Sequence, residues 1–155
     1  MKEFKIGQLT KVLVTERLRK LDDRCVAAAE IVKQVLLVAL KNVPPSDPGW
    51  PAVVQDACQG GITAMLLCEI DLANGAVRLL ASTAEAAYEL DLDPQRMRDG
   101  ALKGIVDVRR FISADKVLHL QAEIAKHYPK AAKEFAALFY TNLVEDLHVS
   151  GPTGP

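Results

Sequence analysis

The sequence predicts an all-α protein: a single-domain bundle of five or six helices with a long N-terminal helix. Three observations predict it. Apolar residues recur at helical spacing through most of the chain. No segment alternates with the period of a strand. Proline, glycine and capping residues fall between the periodic runs, where helices should begin and end. The chain has 155 residues, half of them apolar and a quarter charged, enough for one hydrophobic core without staples. The expected domain covers residues 1–148, followed by a disordered tail, 149–155, of sequence VSGPTGP.

The first element is the clearest. Val14, Leu18, Leu21, Cys25, Ala28, Val32, Val35 and Ala39 are spaced alternately four and three residues apart, a heptad seam. Up to Arg24 the other faces are charged; after Glu30 they turn apolar, with Ile31, Leu36, Leu37, Val38 and Leu40. A helix apolar on most sides is buried on most sides. As one helix the seam would be about 37 Å long at 1.5 Å per residue. A domain of this size has a core roughly 25–30 Å across, so part of the seam is expected to overhang and meet a partner chain.

The run PPSDPGWP from Pro44 to Pro51 ends that helix, and Pro51 suits the first turn of the next. Trp50 is expected to fold back on that helix start as a staple. Residues 51–90 read as two helical segments with a break near Asn74-Gly75. Inside the first, Ala57, Gly60, Gly61 and Ala64 form small-residue spacings that let another helix approach closely. Asp93-Pro94 caps and opens a helix carrying Met97, Ala101, Ile105, Val108 and Ile112 on one face. Ser113 caps the next, with Val117, Leu120 and Ile124 inward, up to Tyr128-Pro129. A final helix is expected from Pro129 to about Leu147.

Composition excludes several classes of function. The net charge is −1, so nothing draws the whole chain to nucleic acid or to an anionic membrane. The longest charge-free apolar stretch, Ala57 to Cys68, is far short of the roughly 20 residues of a membrane span. The N-terminus, MKEFKIGQLTKVLV, has no apolar core of signal-peptide type. Cys25, Cys58 and Cys68 form no CxxC pair and read as small hydrophobes. A cytoplasmic protein is the expectation. Charge is uneven, however: +4 over residues 1–41, −7 over 42–95 and +2 over 96–155. The ends are therefore expected to fold over or beside the acidic middle. Two basic clusters, Arg17, Arg19, Lys20, Arg24 and Arg96, Arg98, Arg109, Arg110, have acidic neighbours and no interleaved aromatics to stack bases. They read as solvated faces rather than a nucleic-acid surface.

His119, Glu123 and His127 make the one candidate metal site. At i, i+4 and i+8 they drift only about 40° per step, so all three line one helical face, and imidazole with carboxylate can hold zinc or another divalent ion. They fall outside the helix's apolar arc, beside Lys126, which favours a solvated face over a site. Glu69 and Asp71 close an apolar stretch and mark a wet helix end. A diiron bundle needs two Glu-x-x-His motifs and two further inward Glu residues, a set this chain does not carry. No Gly-x-Ser-x-Gly occurs either. Asn142 falls on the apolar arc of the last helix, where a buried amide needs partners.

These readings lead to a non-enzymatic helical protein acting through self-association or protein–protein interaction, with a homodimer the favoured assembly and no cofactor. The alternative is a metal- or small-ligand-binding protein using the His119, Glu123, His127 helix or an interhelical cavity.

Overall fold

In a computed structural model, which describes residues 5–18 and 24–138, the N-terminal region forms two helices. These are α1 (Ile6–Leu18) and α2 (Arg24–Ala39), and they pack on each other. The single long helix expected through Val14–Ala39 is thus corrected to two short ones. The reason lies in what α1 touches. It lies against α3 (Trp50–Leu67), where the Gly60 Cα faces the carbonyl of Gly7 so closely that no Cβ fits between them. The Gly7 N–H donates to the Asp56 carboxylate at 2.7 Å. Packing of its buried face on α3, rather than the heptad spacing, fixes where α1 lies.

The rest of the chain follows in order: α4 (Leu72–Leu90), α5 (Pro94–Val106), a 3-10 turn (Asp107–Phe111), α6 (Ala114–His127) and α7, residues 129–138. No strand occurs among the described residues. The helix count therefore exceeds the five or six expected, chiefly because the first helix is divided. α3 is the axis of the molecule, packed by α1, α2, α4 and α5; α4 in turn carries α2, α5 and α6. The core between them holds Leu36, Leu40, Trp50, Ile62, Met65, Leu79, Met97, Ile105, Leu120 and Phe135, all essentially without solvent access.

Glycine sets the closest contacts. The small-residue spacings do what their pattern predicts: Gly60 admits α1, and Gly61 admits Val32 of α2, whose Cγ2 lies 2.6 Å from where a Cβ would be. Gly100 and Gly104 bring α5 onto α3; a Cβ on Gly100 would lie 2.9 Å from the Pro51 carbonyl oxygen. Gly75 plays the same part, its Cα under the Met65 sulfur. The break expected at Asn74-Gly75 is instead at residues 68–71. There Glu69 takes the left-handed conformation (φ 56°) and Ile70 N–H closes the turn on the Met65 carbonyl. A glycine is the usual occupant of that position; a glutamate hid it.

Capping agrees with expectation. Asp93 accepts from Gln95 N–H at 3.0 Å and Ser113 from Lys116 N–H at 3.3 Å, each with an extended backbone. Val117, Leu120 and Ile124 are buried. α5 stops at Val106 and tightens into the 3-10 turn, so Val108 stays buried but Ile112 lies beyond the helix on which it was expected. Trp50 is buried rather than draped over a helix start: it begins α3, donates to the Pro45 carbonyl at 3.3 Å and lies beneath Arg96. The acidic middle does take cations from the flanks. Lys33 of α2 reaches Glu85 at 3.0 Å and Glu89 at 2.7 Å on α4.

Candidate functional site

Two apolar faces near the N-terminus lack a cover among the described residues. On α1, Ile6, Gly7, Thr10 and Val14 face the core, and the Thr10 hydroxyl donates to the Ile6 carbonyl. At 100° per residue the apolar arc continues past Ile6 through Leu13 and Leu9 to Val12, roughly 200° in all, of which only about half is buried. Leu9, Leu13 and Val12 are 37%, 39% and 54% exposed. On α2 the buried stripe is Cys25, Ala28, Ala29, Val32 and Leu36. Leu36 and Leu40, expected to face away from the seam, are the core residues; Val35 and Ala39 of the seam are only half buried. Ile31, Val35 and Val38 turn outward beside α1, and Val38 is 77% exposed.

Between these faces runs a groove of about 470 Å³ walled by Leu9, Leu13, Ile31, Val35 and Val38. Its polar edge is small: Gln34 donates to the Glu30 carboxylate at 2.8 Å, and both sit at the rim. Residues 31–40, expected to be buried on most sides, are open on one, the side of α2 that faces this groove. The reason is geometric. α2 is covered by α1, α3 and α4, and three neighbours do not close a full circle around one helix.

The remaining side chains offer little chemistry. His119 and His127 are exposed, Glu123 is half buried, and the His127 Nε2 lies 3.8 Å from the Glu123 carboxylate. Among the described residues no three His, Cys, Asp or Glu side chains come together as a metal would need. Glu69 and Asp71 are exposed, and Asp71 caps α4 by accepting from Ala73 N–H at 3.1 Å. Cys58 is fully buried, and burial pushes its thiol up to about 12, which holds it as an unreactive thiol. Lys33 is held above the ordinary lysine range by its hydrogen bonds to Glu89 and Glu85, so it stays a cation.

A second cleft, about 460 Å³, lies on the far side of α1 among Lys5, Lys11, Asp56, Gln59, Thr63 and Phe111. Two of its polar groups are engaged within the fold: Asp56 by Gly7 N–H, Gln59 by the Asp107 carboxylate at 2.6 Å. The later basic cluster is likewise committed. Arg96 stacks on Trp50 with 4.8 Å to the ring centroid, Arg98 pairs with Glu134 at 2.9 Å, and Arg110 pairs with Asp107 at 2.9 Å. Arg19, Lys20, Leu21 and Asn142, the side chains of Arg17 and Leu18 and the tail 149–155 lie outside the described residues.

Comparison with protein-family models, curated proteins and solved structures finds no match to the chain. Its function must be argued from its own geometry. No helix among the described residues is long and apolar enough to cross a membrane. Sequence periodicity predicted an overhanging apolar seam on one long helix. It did not foresee that the surface would be a groove between two helices rather than the flank of one.

Proposed function

We propose that this chain is a non-enzymatic helical protein that acts by associating with a second copy of itself through the α1–α2 groove. The observation that carries the reading is the pairing of a projecting apolar ridge with a receiving apolar groove on one patch. Val38 stands out beside the channel that Leu9 and Leu13 border. A two-fold interface uses the same patch on both chains, so the patch must supply both shapes, and this one does. Its rim carries a single charged group, the Glu30 carboxylate that Gln34 engages, so an oppositely charged partner has little to recognise.

Sedimentation at micromolar to tens of micromolar concentration tests the reading. A reversible dimer is expected. Leu13→Glu and Val38→Glu should each weaken it by on the order of 100-fold, because a carboxylate would be placed where the interface must be dry. Both positions are partly exposed in the single chain, so the helical circular dichroism should not change. A wild-type monomer at tens of micromolar, or a dimer indifferent to both substitutions, would overturn it.

A further inference from the structure

We infer that the polar cleft on the far side of α1 binds a small phosphate-bearing ligand with a flat ring, the chemistry of a mononucleotide. The inference goes beyond the groove reading and does not rest on it, since the two sites share no lining residue.

The cleft surrounds the point where the Gly7 and Gly60 backbones meet. Lys5, Gln8 and Lys11 line it from the chain of α1, and Asp56, Gln59 and Thr63 line it from α3. Its volume of about 460 Å³ falls inside the roughly 300–1,000 Å³ of small-ligand sites. Phe111 of the 3-10 turn borders it and is 59% exposed. Asp107 holds that border in place. Its carboxylate accepts from the Gln59 amide at 2.6 Å and from Arg110 at 2.9 Å, which ties the turn to α3. The Arg110 guanidinium lies over the Phe111 ring, 5.5 Å from its centroid.

The charges decide the sign of the guest. Lys33, Arg98 and Arg110 each meet a carboxylate. Lys5 and Lys11 do not: among the described residues neither ammonium group has an ion pair or hydrogen bond, nor has the Gln8 amide or the Thr63 hydroxyl. Asp56 is the one carboxylate among the described lining residues, and it already accepts the Gly7 N–H at 2.7 Å. Two cations against one engaged carboxylate leave the cleft positive in a chain whose net charge is −1. Ammonium, amide and hydroxyl groups together are donors for the oxygens of an anion. Phe111 adds a face on which a ring can stack. A bare phosphate would leave that face unused, and a neutral ring would leave the lysines unmatched. A nucleic-acid strand would need further cations to track, but Arg96, Arg98 and Arg110 are engaged within the fold.

Calorimetric titration of the full chain with adenosine 5′-phosphate, adenosine and inorganic phosphate tests this. The nucleotide serves as the probe because every base presents a face for stacking. It should bind once per chain, at least about tenfold more tightly than either fragment, and less tightly as salt is added. Lys5→Gln and Lys11→Gln should each weaken it by about tenfold, through loss of a charge-assisted hydrogen bond. Phe111→Ala should weaken it by about tenfold through loss of stacking. Lys5 and Phe111 are exposed, so the helical circular dichroism of those variants should match the parent. Val38→Glu should leave nucleotide binding unchanged, which keeps this result separate from the groove test. No binding at millimolar nucleotide, or binding indifferent to all three cleft substitutions, would overturn the inference. So would phosphate held as tightly as the nucleotide, or a short oligoadenylate held more tightly.

Discussion

The α3–α5 contact and the α1–α2 contact are built from opposite materials, and they end differently. At α3–α5, Gly100 and Gly104 put backbone against backbone, and the residues around them, Val54, Cys58, Ala101 and Ile105, are sealed from solvent. At α1–α2 the facing residues are Leu9, Leu13, Ile31, Val35 and Val38, larger and more apolar, yet they leave an open groove. Apolar content does not by itself close a contact. Small residues bring axes together until neighbouring side chains interdigitate; bulky ones hold the axes apart, and without a third element above them they remain in water.

The largest expected effect lies within a single helix and would break this comparison if absent. Leu36→Ala should cost about 3 kcal/mol in urea unfolding, since the side chain is fully buried and its removal leaves a cavity. Val38→Ala, two residues on, should change stability by less than about 0.5 kcal/mol. Equal costs would mean that the groove is covered within the single chain.

Glycine offers the next test, smaller and more pointed. A Cβ at Gly104 meets the Gln55 carbonyl oxygen and, at 2.9 Å, the Gln59 nitrogen, both backbone atoms that cannot swing aside. Gly104→Ala should therefore cost about 2 kcal/mol, read as a fall in Tm. A Cβ at Gly75 meets only the thioether of Met65, a flexible chain that can move. Gly75→Ala should stay within about 1 kcal/mol of the parent, helped by alanine's better helix propensity. The reverse order would show that glycine at the α3–α5 contact is not what holds the helices close.

The smallest expected effect is at the far end of the molecule. His119→Ala with His127→Ala should shift stability by no more than roughly 0.5 kcal/mol, because both rings are exposed. Zinc should leave the Tm of the parent unmoved. A zinc-dependent rise lost in the double variant would turn this face into a metal site and make it, rather than the groove, the chemistry of the protein.

Much of the fold was legible in the residues themselves. Asp93-Pro94 and Ser113 announced helix starts because capping is local: a side-chain oxygen bonds an N–H two or three residues ahead. Val117, Leu120 and Ile124 announced their buried face by spacing alone, and Gly60-Gly61 announced a close approach. Two boundaries were not legible. Gly75 looked like a breaker because it is a glycine, yet its small size serves Met65 inside α4. The break itself uses Glu69, whose left-handed backbone no residue preference would have flagged. The candidate groove was half legible: an excess of apolar surface near residues 31–40 is plain in the sequence, but its partner wall on α1 is not.

By itself the sequence determined that this chain is helical, where most helices start, and which residues of each turn seek the core. These follow from interactions within about four residues, and such interactions are present in the chain before it folds. Only the tertiary structure decided that the seam from Val14 to Ala39 is divided, that α1 docks on α3, and that the described residues leave one side of α2 bare. Each of those outcomes is a competition between distant segments for the same apolar surface. Its winner is set by shape, by whether the Gly7 and Gly60 backbones can touch, and not by the periodicity that the competing arrangements share.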